Sequence, residues 1–530
     1  MSSGHRSENV WAAKYFAIAI GSMMILFIMA HWIRLAFQRH GPSGPSGILM
    51  PLKKGFRTLR RGLDNSVFGI GMDKWILYLI FWGINVVLIL TNVDLSELEG
   101  IAKRMGWIAV ANFVLLVFLA LRNTPLAPLS GQSYEKLRPL HKVAGYTCIV
   151  SAVLHGILFL KEAADAKILF YFSETEDLVG AIAGLLMVII GLSTIGCFAR
   201  KYYEVFYIMH VVLFMVILIL VGMHRPKLSS STLIVTIFIA CMWFVDRAFR
   251  FLKLSYNFFG NYATLTPMQD GAVRVKLRRS IRCSPGSHAF LWMPAVRFME
   301  THPFTMISNN PAEFLIRTYD GYTRELYKFA QKEPGRTVRC SVDGGYGQVP
   351  DFRNFDKIVL VSGGSGATFT FAIALSLIRQ FAETNVNKSI DFIWTVRHAS
   401  SLAWFENELS ELQDSPYVNL FVHVSQLEGD EASVRDASDT SSVESTTANN
   451  EMNGNKEKFA TQSRPLSPVR KGRPDMLRLV TDCISQCPQG GRVGVGACGP
   501  MKLLQATREA ASQKAFDEGP SIDLHTEVCS

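Results

Sequence analysis

Four histidines constrain this chain more than any other feature of it. His141 and His155 bracket one apolar segment, His210 and His224 bracket another, and each pair is 14 residues apart. Fourteen helical residues rise about 21 Å and return to within about 40° of the starting direction, so both imidazoles of a pair share one face. Such side chains are costly in lipid, and two equal spacings are hard to reach by accident. The pattern points to two helices side by side that offer imidazoles at two matched depths.

The surroundings are those of a membrane protein. Hydrophobic residues make up 49% of the 530 and charged ones 18%, and the long apolar runs end near residue 250. Seven stretches are read as spans: Tyr15–Phe37, Trp75–Leu90, Trp107–Leu121, Val143–Leu160, Leu178–Gly196, Val205–Val221 and Thr232–Phe249. Several fall short of the roughly 20 residues that cross a bilayer, so their ends must extend into the flanks. The first is too long for a cleavable signal peptide, and a basic stretch follows it instead of a small-residue cleavage site. The loop after it carries Arg39, Lys53, Lys54, Arg57, Arg60, Arg61 and Lys74, and connections on the same side carry Arg122, Lys136, Arg138, Arg200 and Lys201. The opposite loops are acidic, with Asp94, Glu97 and Glu99 in one and Glu162, Asp165, Glu174, Glu176 and Asp177 in the other. By the positive-inside rule the basic side is cytosolic, and seven spans then put the N-terminus outside or in a lumen and everything after Phe249 in the cytosol. The net charge of +10 therefore belongs beside the membrane and does not indicate nucleic acid. Nine scattered cysteines with no C-x-x-C pair argue against a disulfide framework or a zinc site.

On that topology both histidine helices run outward from the cytosol, which sets His141 at the depth of His210 and His155 near that of His224. Two metal centres stacked across the membrane fit this arrangement, and haem iron suits it because the porphyrin supplies the equatorial nitrogens. A single intramembrane histidine such as His31 reads as an interhelical hydrogen-bonder. From this half alone, a zinc site or a proton pathway stays open.

From about Phe258 the pattern changes to short alternating strands, as in Val273, Val275 and Leu277 with Arg274 and Lys276 between them. His302, Pro303, Phe304, Thr305, Met306, Ile307 and Ser308 follow; a proline-fixed turn there would present imidazole, aromatic face and two hydroxyls to a planar, phosphate-bearing ligand. Arg317 precedes Asp320-Gly321-Tyr322-Thr323-Arg324, a turn opening a helix whose N-terminal amides suit a pyrophosphate. Val342–Gly347 reads as a flexible glycine turn. Lys357–Val361 is an apolar strand that runs into Ser362-Gly363-Gly364-Ser365-Gly366-Ala367-Thr368 and a helix, Phe369–Phe381. That order lets backbone amides and a helix dipole hold a dinucleotide, although the motif alone is weak. Ile390–Val396 ends in Arg397, where a guanidinium can pair with a 2′-phosphate and favour NADPH. Val493–Gly496 leads to Cys498, Gly499 and Pro500, a strand end able to bring a thiol near a nicotinamide; a merely buried thiol is the plainer reading. The polar insert over about 428–473 is expected to be a disordered surface loop, with phosphorylation as a secondary reading.

Taken together, the four histidines, H-P-F-T, G-G-S-G-x-T and C-G-P stand in an order that resembles the ferric reductase / NADPH oxidase superfamily of transmembrane flavocytochromes b, over roughly residues 105–530. Within it the chain looks most like the short fungal ferric-reductase-like probable metalloreductases, some of which act as endoplasmic-reticulum NADPH oxidases. The resemblance implies His141 and His210 on an inner haem and His155 and His224 on an outer one. It implies FAD held by His302, Pro303, Phe304 and Thr305, with Arg317 on its phosphates. It further implies NADPH on Gly363, Gly364, Gly366 and Thr368, with Arg397 at the adenosine phosphate and Cys498 beside the transferring ring. Three departures stand out: Phe369 and Gly345 where the family usually has proline, and an end, His525–Ser530, without the usual terminal aromatic.

The expectation is thus a multi-domain membrane protein. Residues 1–104 hold the first spans and basic loop, and 105–250 the remainder of an all-α, seven-span haem bundle. Residues 251–352 form a ferredoxin-reductase-like β-barrel for FAD, and 353–530 an α/β domain for NADPH. NADPH would give a hydride to FAD, which passes electrons singly to two b haems and on to a ferric or cupric chelate across the membrane. Dioxygen as acceptor, giving superoxide, is the rival; a histidine-lined metal or proton transporter is the remote one. The acceptor would meet the outer haem near Arg225 and Lys227 and the acidic loop Glu174–Asp177. The membrane is the plasma membrane or the endoplasmic reticulum.

Overall fold

A backbone that enters lipid must satisfy its own hydrogen bonds, so each apolar run forms a helix. The computed structural model describes residues 3–40, 66–165, 175–196, 201–224, 230–426 and 469–528, apart from 68–69, 95, 385–387, 489 and 517–519. Seven helices carry the apolar runs: α1 (Ser3–His40), α2 (Met72–Leu90), α3 (Leu98–Ala120), α4 (Tyr134–Asp165), α5 (Thr175–Ser193), α6 (Tyr203–Met223) and α7 (Ser230–Phe258). Six of them are long and apolar enough to cross a membrane, where seven were expected; the apolar part of α2, Lys74–Leu90, is shorter. The basic loop over 41–65, Glu174, Arg225, Lys227 and most of the polar insert lie outside the described residues.

One compact unit reaches to Lys253. Its best-buried helix is α3, where Ala102, Ile108, Asn112 and Leu119 are 0–1% exposed. Arg104 on the same helix is buried, and its guanidinium makes four hydrogen bonds: it donates to Asn9 Oδ1 at 2.6 Å and to the carbonyls of Leu88, Thr91 and Asn92 at 2.7, 2.8 and 3.1 Å. A cation there satisfies the orphan carbonyls at the end of α2 and favours their dipole. Asn112 donates to Asn85 Oδ1 at 2.7 Å, a polar tie between α3 and α2. The outward faces stay apolar, with Val150, Leu185, Ile208 and Ile219 more than half exposed. This is the reverse of a soluble bundle and the pattern that lipid requires.

The second unit starts at Leu254. Its first lobe is one antiparallel sheet of β1 (Tyr262–Met268), β2 (Ala272–Leu277), β3 (His288–Trp292), β4 (His302–Asn309), β5 (Ala312–Arg317), β6 (Thr337–Arg339) and β7 (Ser341–Tyr346). The strands are ordered β6-β1-β2-β5-β4-β3-β7. Its two edge strands are separated in sequence by the buried Cys340 alone, so the sheet must curl until its ends meet. Among the described residues β6 and β7 do not pair, so the expected barrel is rolled but not closed by hydrogen bonds. The expected glycine turn over 342–347 is strand instead as far as Tyr346: a Cβ on Gly344 would stand 2.5 Å from Ala289 Cβ, and one on Gly345 2.3 Å from Cys283 Cβ. Those glycines serve close packing.

The second lobe is a parallel sheet of β8 (Lys357–Gly363), β9 (Ser389–Val396), β10 (Val418–Val424), β11 (Arg470–Lys471), β12 (Arg492–Gly499) and β13 (Ser521–Val528), in the order β11-β10-β9-β8-β12-β13. Helix α9 (Ala367–Thr384), which follows α8 (Tyr322–Lys332) of the first lobe, covers one face through Phe371, Phe392, Trp394 and Phe405, with ring centres 4.4–5.5 Å apart. The sequence order reverses between β8 and β12, which opens a crevice at their C-terminal ends.

Candidate functional site

Within the helical unit the four histidines meet in the pairs that the spacing required. The rings of His141 and His210 stand 6.4 Å apart and those of His155 and His224 6.2 Å apart, centre to centre, at 57° and 66°. Matched pairing of two equal spacings means that α4 and α6 run in the same direction. Three rings are fixed from behind by a backbone carbonyl on Nδ1: His141 by Leu116 at 2.9 Å, His155 by Ala102 at 2.7 Å and His224 by Glu176 at 2.8 Å. Leu116 and Ala102 are themselves 14 residues apart on α3, so the supports repeat the ligand spacing. For His155 and His224, the residue four positions beyond the carbonyl is glycine, and its missing side chain is where the ring lies. A Cβ on Gly106 would be 3.2 Å from His155 Nδ1, and one on Gly180 2.3 Å from the His224 ring. His210 differs: its buried Nδ1 has no partner among the described residues. Gly106 and Gly180 give no signal in the sequence, since glycine inside apolar helices is common.

The second cluster forms at the crevice of the parallel sheet. β8 ends in Gly363 and β12 in Gly499, and the two strand ends touch through backbone. A Cβ on Gly363 would lie 2.7 Å from Pro500 Cδ, and one on Gly499, at φ +156°, 3.0 Å from Gly363 N. Gly364 takes φ +57°, which turns the chain into α9. Its carbonyl accepts from Trp394 Nε1 at 3.1 Å, while the buried Thr368 gives its hydroxyl to Ser365 O at 3.1 Å. Gly366 is buried at the helix start. Arg397 stands exposed beyond β9 and donates to Gln426 Oε1 at 2.5 Å. One register row crosses this edge through Gly363, Thr395, His423 and Arg470. Within it Thr395 Oγ1 and His423 Nε2 are buried without partners among the described residues, and both escaped sequence reasoning because only strand register brings them to the glycine turn. Cys498 is 4% exposed and belongs to the same apolar cluster as Ile307 and Leu315 of the first lobe. The strand expected to end near Gly496 runs on as far as Gly499.

In the first lobe the expected turn at His302 is strand β4, and its two-residue alternation divides the motif. Phe304 and Met306 pack into the sheet core, whereas Ile307 joins the cluster shared with the second lobe, and Pro303 is exposed. His302 stacks on Tyr322 at 4.2 Å and 23° and bonds Glu300 at 2.9 Å. Tyr322 is buried, which holds its phenol above the ordinary range. Thr323 Oγ1 accepts from Tyr319 N at 2.8 Å at the start of α8. The Arg317 guanidinium lies 5.9 Å from the Trp404 ring, and a Cβ on Gly364 would be 3.8 Å from it, so an arginine read as belonging to one lobe reaches the glycine turn of the other. Phe369, where proline was expected, is buried and stacks on His525 at 5.7 Å.

Three family models match in succession: a ferric reductase like transmembrane component over residues 105–221, an FAD-binding domain over 258–350 and a ferric reductase NAD binding domain over 355–512. A probable cell surface ferric reductase of Aspergillus oryzae is 27% identical over 345 residues, which is 59% of this chain and 46% of that protein. A probable ferric reductase transmembrane component of Candida albicans is 26% identical over 457 residues, 82% of this chain and 66% of that protein. The chain thus spans between about half and two thirds of the length of these relatives. A ferredoxin NADP+ reductase from Neisseria gonorrhoeae aligns at 14% identity and TM-score 0.33, over 50% of this chain and 97% of that one. With the transmembrane component, the FAD-binding domain and the NAD-binding domain in sequence on one multi-pass polypeptide, the chain belongs to the ferric reductase family.

Proposed function

We propose that the chain is an NADPH-dependent metalloreductase that moves electrons from the cytosol, by way of FAD and two b-type haems, to ferric or cupric chelates beyond the membrane. The histidine geometry carries this reading. Two imidazole nitrogens that each bond one iron atom at about 2 Å, with ring centres about 1.1 Å behind them, would put the ring centres about 6.2 Å apart. The two pairs stand at 6.4 and 6.2 Å. Carbonyls on Nδ1 leave Nε2 to ligate and are the usual support of a metal-bound histidine. Among the described residues no three His, Cys, Asp or Glu side chains gather as a bare metal ion would need; a haem asks the protein for two. His141 and His210 would hold the inner haem, and His155 and His224 the outer one.

When bound, a nicotinamide supplies a hydride, a flavin divides the electron pair, and haem iron accepts electrons singly. The chain's own residues bind and orient. Gly363, Gly364 and Gly366 let backbone approach a pyrophosphate at the start of α9, with Thr368 bracing the turn. Arg397 reads the adenosine phosphate, and Gly499 and Pro500 leave room for the nicotinamide beside Cys498. Pro303 and Thr305 offer the face on which the flavin lies, with Ser308 further along the strand. Arg317 and Thr323 hold its phosphates at the start of α8. His302, Phe304, Met306 and Ile307 position that strand by packing. We further read α2 as a seventh span, since its 19 residues reach about 28 Å; the N-terminus is then exoplasmic or lumenal.

The relatives' names as ferric and ferric/cupric reductases support the chelate as acceptor. The test is purified protein, reduced, with haem counted against chain. Paired b-haem bands at about two haems per chain are expected; zinc without haem would overturn the reading. On membranes with NADPH, chelate reduction should survive removal of oxygen and addition of superoxide dismutase. Collapse under either would transfer the acceptor role to dioxygen.

A further inference from the structure

The antiparallel lobe holds out an apolar surface that its own core does not use. Tyr256, Phe259, Phe298 and Met299 are 73, 71, 68 and 88% exposed. A ladder of rings joins Phe259 to Phe298: Phe258 meets Phe259 at 6.5 Å and Trp292 at 5.3 Å, and Trp292 meets Phe298 at 6.2 Å while its Nε1 donates to the Phe298 carbonyl at 2.7 Å. The loop bearing Phe298 and Met299 is tied down. Arg297 holds Glu325 through two bonds of 2.8 Å and Glu300 through bonds of 2.8 and 2.9 Å, and Glu300 in turn holds His302. Exposure of a phenylalanine and a methionine on so fixed a loop is part of the fold, not fraying at its edge.

The rim of this surface is cationic. The Arg279 guanidinium lies 5.4 Å over the Tyr256 ring and donates to its carbonyl at 3.2 Å, and that of Arg339 lies 5.8 Å from Phe258 and 6.0 Å from Tyr262. Apolar and aromatic tips with guanidinium groups around them are the composition of a lipid-interface contact, where rings enter the headgroup layer and arginines meet anionic lipid. The course of the chain says which occupant this is. Tyr256 and Phe258 belong to the last turn of α7, itself apolar enough to span, so the patch begins about 10 Å along the helix from Phe249, where the apolar run ends.

We propose that Tyr256, Phe259, Phe298 and Met299, rimmed by Arg279 and Arg339, rest in the headgroup layer of the membrane that the helices cross and seat the antiparallel lobe on phospholipid. The test uses the full chain in vesicles of phosphatidylcholine with a minority of phosphatidylserine. The photo-crosslinking residue p-benzoylphenylalanine replaces Phe298 in one protein, Met299 in a second and, as control, the exposed Met501 in a third. Retained FAD reports folding in each. Irradiation should give phospholipid adducts at 298 and 299 at about tenfold the yield at 501. Arg279→Gln with Arg339→Gln should lower that yield in the mixed vesicles and leave it unchanged in phosphatidylcholine alone. A lipid yield at both 298 and 299 no greater than at 501, or adducts there to another polypeptide, would overturn the proposal.

Discussion

Gly180→Ala tests the histidine site without touching a ligand. The new Cβ would stand 2.3 Å from the His224 ring, where ordinary contact starts at 3.4 Å, so ring or helix must retreat by about 1.1 Å. If the ring retreats from the helix, the 2.8 Å bond from Nδ1 to the Glu176 carbonyl stretches beyond hydrogen-bonding range. If it shifts toward its partner, the 6.2 Å separation contracts to a gap too short for two bonds of about 2 Å to one iron. Either way the outer site is lost. Helix propensity alone predicts the opposite, since glycine to alanine inside a helix gains about 1 kcal/mol. Gly184→Ala, one turn further along α5, supplies the control: nothing lies within 4 Å of its added Cβ. The assay is the haem-to-chain ratio and the reduced spectrum of purified protein. Gly180→Ala should fall from about two haems to about one, with Gly184→Ala unchanged. Two haems with unaltered bands in Gly180→Ala, or equal loss in both variants, would refute the assignment of His224 and the packing argument together.

Other outcomes follow from the same geometry. Arg397→Ala should narrow the preference for NADPH over NADH by about one to two decades, the scale of a lost charge-assisted bond, measured as a ratio of kcat/KM values. Gly499→Ala forces a Cβ to 3.0 Å from Gly363 N and should abolish NADPH-driven reduction, while dithionite still reduces the haems. Glu408→Gln weakens the mostly buried link to Arg274, which also holds Glu313 at 2.5 Å, and should cost about 1–3 kcal/mol, read as a lower Tm. Burial pushes the Cys340 thiol up to about 12, and burial with nearby Asp391 does the same for Cys483. Both stay protonated at neutral pH, so an alkylating reagent should label them only after unfolding.

The histidine spacing, the strand–glycine–helix order and the alternation in β2 were legible in the sequence, because each is a period of the local backbone that residues impose on their immediate neighbours. That is enough to say that α4 and α6 can share two ligand depths and that a dinucleotide turn follows β8. It was not enough to describe what holds them. Ala102, Leu116 and Glu176 support imidazoles through carbonyls, which every residue has, so no residue type announces them. Gly106 and Gly180 matter because of rings 49 and 44 positions away. Trp394 fixes the Gly364 turn, and Thr395 and His423 share the row of Gly363, only because β8, β9 and β10 pair in one register. The same limit explains the misread segments. Gly344, His302 and Pro303 look like turn residues, yet they form strands because neighbours across the sheet pair with them, with Gly345 the extra residue at a register shift, and pairing between distant segments is settled by tertiary packing over local preference. The unpaired seam between β6 and β7, and the crevice where strand order reverses, likewise exist only in three dimensions.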